Sequence, residues 1–168
     1  SEKNPIADTE VGAAHTVASL RNLLNARLEL AFLFEIKDGP TLSWGILTYQ
    51  GQEKPRYKAL KLLNALDGNQ IIVEGEGTNV SAIASVNDDK IVSILTNYDE
   101  SGRNYEAVPV TFKNLIGTNY KLTKTFLDGK SEVSLNLKPV IGELKFNGEK
   151  SIIMPVNTIV ELELVKIE

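Results

Sequence analysis

The chain contains no cysteine and only one histidine, one tryptophan and one methionine among 168 residues. Without cysteine there are no disulfides, thiolate metal sites, iron–sulfur clusters or cysteine nucleophiles. A single imidazole, His15, would have to serve any Ser-His-Asp triad, and a zinc site would rest mainly on carboxylates. No apolar run approaches the roughly eighteen residues of a membrane-spanning helix, so a membrane role is not expected. Ser1, Glu2, Lys3 and Asn4 do not form the basic-then-apolar pattern of a signal peptide. There is also no excess of positive charge. Eighteen Lys and Arg stand against 22 Asp and Glu, a net charge of −4, with lysines scattered among acids. Nucleic acid is therefore not an expected partner.

What remains is a globular composition, 42% apolar and 24% charged. At this length roughly 70% of the unfolded surface can be buried, so the core needs no staples. Two textures meet at Asp67-Gly68-Asn69 and divide the chain into residues 1–67 and 68–168.

In the first part Ala13, Val17, Leu20 and Leu24 recur at helical spacing behind the capping candidates Asp8 and Thr9. This predicts a helix from Glu10 to Ala26. The following apolar run, Leu28 to Phe34, has the texture of a strand covered on both faces, as in a parallel sheet. After a polar loop, Pro55 opens a second helix through Leu66, with Gly68 as its C′ residue. This α-β-α order reads as the end of an alternating α/β structure.

The second part alternates at period two. Val108, Val110 and Phe112 form one inward set, Val133, Leu135 and Leu137 another, and Val160, Leu162 and Leu164 a third. Further strands are expected at 70–74, 81–86, 90–98, 120–127, 143–147 and 151–154, with turn residues between them. The pattern predicts an antiparallel β-sandwich, so the chain as a whole is mainly β. A buried parallel strand with two helices cannot stand alone, and a full (β/α)8 barrel takes about 250 residues. The rest of the barrel is expected outside this chain.

Chemistry-bearing residues concentrate after the apolar run, in Glu35, Lys37, Asp38 and Trp44. In barrels the loops at the carboxyl ends of strands build the active site. Glu35 or Asp38 would there hydrogen-bond sugar hydroxyls, and Trp44 would stack on a pyranose face. The competing reading is a solvated loop, with Lys37 paired to a nearby acid and Trp44 capping the rim or filling an interface. Glycoside hydrolysis needs two carboxylates roughly 5 to 9.5 Å apart, which one loop does not supply. His15 falls away from its helix's apolar stripe and reads as a surface imidazole. Glu74-Gly75-Glu76-Gly77 lacks the lysine and following helix of a phosphate loop and reads as a bend. Asp88-Asp89, Asp99-Glu100 and Asp128-Gly129 lack calcium-loop spacing and read as turns. No metal site and no cofactor are expected. The sandwich aromatics are Tyr98, Tyr105, Phe112, Tyr120, Phe126 and Phe146. Phe112 falls inward, whereas Tyr105 and Tyr120 lie near strand ends where exposure is possible.

Three segments carry a family resemblance: Phe32 through Pro40, Ser43-Trp44-Gly45-Ile46-Leu47-Thr48, and Lys54-Pro55-Arg56-Tyr57-Lys58-Ala59-Leu60. They resemble the last strand, active-site loop and last helix of clan A glycoside hydrolases, nearest to the β-xylosidase and α-L-iduronidase-like group. In that group a C-terminal β-sandwich follows the barrel, and 69–76, 81–85 and 91–98 look like its opening strands. The resemblance implies that the acid/base and nucleophile glutamates follow the fourth and seventh barrel strands, upstream of Ser1. No catalytic residue is then expected here. Glu2, with no strand before it, is not assigned, and Glu35, Lys37, Asp38 and Trp44 fall at the rim of the sugar site.

The resulting expectation is the C-terminal portion of a glycoside hydrolase, silent alone, whose partners are the N-terminal barrel portion and a carbohydrate substrate. The alternatives are an autonomous carbohydrate-binding or adhesion sandwich, favoured by exposed coplanar aromatics, and a protein-interaction module that docks through its first 67 residues.

Overall fold

The computed structural model describes residues 6–41, 43–88, 90–117 and 119–167. Glu2, with the rest of residues 1–4, and Asp89 lie outside them. Helix α1 spans Glu10–Asn25, with Thr9 as N-cap. Helix α2 spans Pro55–Leu63, with the proline in its first turn, where its missing N–H costs nothing. It ends three residues before the expected Leu66. The Ala65 and Leu66 N–H groups instead reach back three residues, to the Leu62 and Leu63 carbonyls. Gly68 is thus not the helix's C′ residue. It has φ +79° and lies where a Cβ would collide with the Val86 carbonyl, so a close approach of chains requires it.

Among the described residues ten strands follow: β1 (Asn69–Ile71), β2 (Val80–Asn87), β3 (Lys90–Asn97), β4 (Glu106–Val108), β5 (Val110–Phe112), β6 (Asn119–Phe126), β7 (Ser131–Leu137), β8 (Leu144–Phe146), β9 (Ile152–Met154) and β10 (Ile159–Ile167). Six of them form an antiparallel sheet in the order β1-β2-β3-β10-β6-β7. The ribbons β4-β9 and β5-β8 form the facing layer. Pro109, which has no N–H to donate, separates β4 from β5, so the single expected strand is two.

One core lies between the sheet and the ribbons, where Leu95, Leu122, Val160, Leu162 and Leu164 meet Phe112, Leu144, Phe146, Ile152 and Met154. Phe112 and Phe146 meet edge-to-face across β5-β8, their centroids 6.1 Å apart. A second core lies on the sheet's other face, where Ala13, Ala14, Val17 and Ala59 pack on Ile83, Val92, Ile94 and Ile159. The alanines let both helices approach closely. Strand β3 is buried on both sides from Val92 to Asn97, its polar Ser93, Thr96 and Asn97 included. The protein is therefore mainly β, with helices on one face of a sandwich, and the second core joins elements from both sides of Asp67.

Two further expectations fail locally. Residues 28–34 form no strand: Phe32 is 89% exposed and Phe34 74%, with Leu28 and Leu30 also exposed. A parallel strand takes its hydrogen bonds from neighbours on either side, and among the described residues none lies beside this run. Two isolated bridges follow it in the next loop among the described residues, a parallel one from Lys37 to Leu47 and an antiparallel one from Leu47 to Glu53. In β7, Val133 and Leu135 are exposed and only Leu137 turns inward. A register irregularity opposite Tyr120 and Leu122, with Asn136 at φ +56°, changes the face midway along the strand.

Candidate functional site

The loop from Glu35 to Lys54 is built around one buried ammonium. Lys54, at the N-cap of α2, is 4% exposed, with its Nζ 2.6 Å from Asp38 Oδ2 and 2.6 Å from Asp8 Oδ1. Burial by itself lowers the lysine's pKa, but the hydrogen bonds to Asp38 and Asp8, with their charges, outweigh it, and the pKa stands above its ordinary value. Asp38 Oδ1 also accepts the Gly45 N–H at 2.7 Å. Gly45 is needed there, because a Cβ would run into the Asp38 backbone nitrogen. Backbone bonds close the frame: Asp38 N–H to Leu47 O at 3.0 Å, Leu47 N–H to Ile36 O at 2.9 Å, and Lys54 N–H to Ile46 O at 3.1 Å.

Arg56 ties this frame to α1. Its Nε donates to Thr16 Oγ1 at 3.2 Å and its Nη1 to the Trp44 carbonyl at 3.3 Å. Burial holds its guanidinium below the ordinary value, and the Asp8 charge opposes that shift.

The four residues expected at a rim divide in placement. Asp38 has both oxygens occupied within the frame. Lys37 is exposed and is paired with no acid among the described residues; its Nζ lies 5.6 Å from the centre of the Tyr49 ring. Trp44 is partly exposed. Glu35 is half-buried, and its Oε1 is buried without a hydrogen-bond partner among the described residues. Ser43, 8% exposed, also has a buried hydroxyl with no partner among the described residues. Two orphaned polar atoms in one loop stand out against the general satisfaction of buried polar groups. Sequence reasoning gave no site role to Ser43, Gly45, Lys54, Arg56 or Asp8, although it named each of them as a cap or within a resembling segment. Local pattern does not reveal their wiring, since Lys54 meets Asp8 across 46 positions.

Elsewhere, His15 is exposed, edge-on to Tyr98 at 5.3 Å. Glu76, within the Gly-rich bend, pairs with Arg21 and accepts the Ala82 N–H at 2.7 Å, which pins α1 to β2. No cluster of three or more potential metal ligands occurs among the described residues. Phe112, Tyr120 and Phe146 are buried. The exposure considered for Tyr120 is thus corrected: its hydroxyl donates to Ile116 O at 2.9 Å, which satisfies it inside the core. Tyr105 is exposed.

No protein-family model matches the chain, and no curated protein matches its sequence. Solved structures do match its fold. The chain resembles a monomeric β-xylosidase from Caulobacter crescentus CB15, with 19% identity and a TM-score of 0.65 over 97% of this chain and 43% of that one. It resembles the GH39 enzyme from Xanthomonas axonopodis pv. citri, with 14% identity and a TM-score of 0.67 over 96% and 42%. It also resembles a glycoside hydrolase family 30 subfamily 8 xylanase from Clostridium acetobutylicum, with 11% identity and a TM-score of 0.67 over 94% and 40%. The resemblance to clan A glycoside hydrolases thus holds as a likeness of fold. The chain spans well under half the length of each of these three enzymes.

Proposed function

We propose that the chain is the C-terminal portion of a glycoside hydrolase, with residues 1–67 completing a (β/α)8 barrel and residues 68–168 forming an accessory sandwich. The exposed apolar strip from Leu28 to Ile36 carries this reading. A soluble protein rarely displays such a patch. Its six large exposed side chains, Leu28, Leu30, Phe32, Leu33, Phe34 and Ile36, would each contribute up to about 1.5–3 kcal/mol if covered. The natural cover is a pair of neighbouring barrel strands, which would also satisfy the backbone of the strip. The partner is therefore the N-terminal barrel portion of the same enzyme, in the same or a separate chain.

With the strip in a barrel, the loop after it lies at the carboxyl end of a strand, where a sugar would bind. The orphaned oxygens of Glu35 and Ser43 suit sugar hydroxyls, and the Trp44 face suits a pyranose ring. Lys37 would stand at the solvent side of the rim, while Asp38 and Lys54 hold the loop in shape. Both catalytic carboxylates would come from the barrel portion, with retention through a glycosyl-enzyme intermediate. The sandwich braces the two helices. Burial of Phe112, Tyr120 and Phe146 supports bracing over a sugar-binding face of its own.

The test combines the chain with a separately produced polypeptide carrying the missing barrel elements. Sedimentation would read association, and aryl β-xyloside hydrolysis would read activity. The chain alone should be inert and the complex active, with Phe32→Asp and Phe34→Asp preventing association. A chain that hydrolyses the substrate unaided, or that never associates, would overturn the reading.

A further inference from the structure

A concave surface lies away from the Glu35–Lys54 loop. A groove of about 880 Å³ opens between the two layers of the sandwich at the β7 edge, the opposite end of the sheet from β1. The helices cover the other face of the sheet, against β2 and β3, so the groove is independent of the loop around Lys54. Its size falls within the range of about 300–1,000 Å³ typical of small-ligand sites.

Its chemistry has two parts. The floor is aliphatic, with Leu122, Leu137, Leu144 and Ile152 joined only by the buried Phe146, so no open aromatic face is available to stack a sugar. The walls carry Lys124, Lys138, Lys145 and Lys150 against a single acid, Glu143, in a chain whose net charge is −4. Glu132 pairs with Lys124, and Glu143 with Lys145 at 2.7 Å. Lys138 and Lys150 are exposed and have no acidic partner among the described residues.

The lip adds a third observation. Val140 and Glu143 exchange backbone hydrogen bonds of 2.8 and 3.1 Å around Ile141 and Gly142, which have φ +51° and +72°. A turn with two successive positive φ values takes Asn or Gly first by preference. A β-branched residue there is an outlier, and Ile141 is 98% exposed. Folding gains nothing from that side chain, whereas an aliphatic ligand leaving the groove would lie against it and the exposed Val140.

We propose that this groove binds a single-chain amphiphilic anion, an alkyl carboxylate whose chain lies on the leucine-rich floor and whose head sits between Lys138 and Lys150. An aliphatic body matches the floor and lip, and a negative head matches the unpaired lysines.

The probe is decanoate, kept below its micelle concentration and titrated calorimetrically into the full chain, with decyl maltoside as the same chain under a neutral head. Saturable one-to-one binding of decanoate is expected, with decyl maltoside weaker by about tenfold or more. Lys138→Gln with Lys150→Gln should weaken decanoate by about tenfold, and raised salt should act in the same direction. Ile141→Asn should weaken both ligands, which separates the lip from the head site. Circular dichroism melts establish that each variant is folded. The absence of saturable decanoate binding, or equal affinity for decyl maltoside, would overturn the proposal. So would displacement of decanoate by polygalacturonate, which would mark an acidic-glycan site, or capture by anionic vesicles without monomer binding, which would mark a membrane surface. Because the readout is binding alone, failure here leaves the glycosidase reading standing, and failure of that reading leaves this one standing.

Discussion

Lys54 Nζ lies within 2.8 Å of both carboxylate oxygens of Asp38, so the residue that starts α2 also holds the loop that follows the apolar strip. Removing the ammonium leaves the Asp38 carboxylate buried without its counter-charge. Breaking one side of a buried pair typically costs about 3–5 kcal/mol, more than the pair itself contributes over an apolar replacement. Lys54→Met should therefore lower the unfolding free energy by about 3 kcal/mol in urea titration. Lys54→Met with Asp38→Leu should recover a large part of that loss.

The same contact has a pH signature. The folded-state pKa of Lys54 stands above its ordinary 10.5, because the hydrogen bonds and charges of Asp38 and Asp8 outweigh burial. The folded protein then holds this proton more tightly than the unfolded chain. The stability it contributes is complete below about pH 10 and disappears as pH rises through the raised value. Thermal melts of the wild-type chain and the Lys54→Met variant should converge only in strong alkali. A constant difference across that range would show that the ammonium is not linked to folding.

Asp99 behaves in the opposite sense. Its carboxylate accepts from Ser101 Oγ at 2.8 Å, and from the backbone N–H groups of Arg103 at 2.9 Å, Ser101 at 2.9 Å and Asn104 at 2.8 Å. These bonds, led by the Ser101 hydroxyl and then the Arg103 N–H, hold its pKa down at about 2. The contribution is present above the ordinary value of 3.8 and is lost as pH falls from there towards 2. Asp99→Asn should melt below wild type at pH 6, and the gap should close by pH 2. A gap that persists at pH 2 would assign the effect to packing.

Gly68 tests the junction between helices and sandwich. With φ +79° and no room for a Cβ beside the Val86 carbonyl, Gly68→Ala meets both backbone strain and a backbone clash. A loss of about 1–3 kcal/mol is expected, well above an exposed-loop substitution. Gly51→Ala, which shares a positive φ of +85° but has open space around it, should cost less and isolates the contribution of the clash.

Much of the fold was legible because period-two alternation is a local signal. Val160, Leu162 and Leu164 are all fully buried on one face of β10, as their spacing predicts. The signal failed where a non-local cause decided the outcome. Val133 and Leu135 alternate correctly, yet the irregularity near Asn136 sends them outward, and nothing in the residues themselves announces it. The run at 28–34 has the composition of a buried strand, but a strand is a property of neighbours as well as of sequence, and its exposure reflects what lies beside it. The loop from Glu35 to Trp44 drew notice in the sequence for its polar residues and its tryptophan. Its internal wiring was not legible, since the pairing of Lys54 with Asp8 and of Arg56 with Thr16 exists only after α1 and α2 pack together.

Ile141 offers the sharpest separation of stability from binding. Its left-handed backbone costs a β-branched residue roughly 1–2 kcal/mol, and its nearly full exposure means that no burial repays that cost. Ile141→Asn keeps the turn, suits its backbone and removes only an exposed side chain. The variant should gain about 0.5–1 kcal/mol, visible as a melting point higher by a few degrees for a chain of this size. If the isoleucine serves the groove, the same substitution should weaken decanoate binding while it stabilises the fold, the trade expected when a strained position is kept for function. A gain in stability with unchanged binding would leave the turn strained for no ligand and remove the lip from the site. A loss of stability would mean that the side chain packs in solution, and the backbone argument for the lip would fail with it.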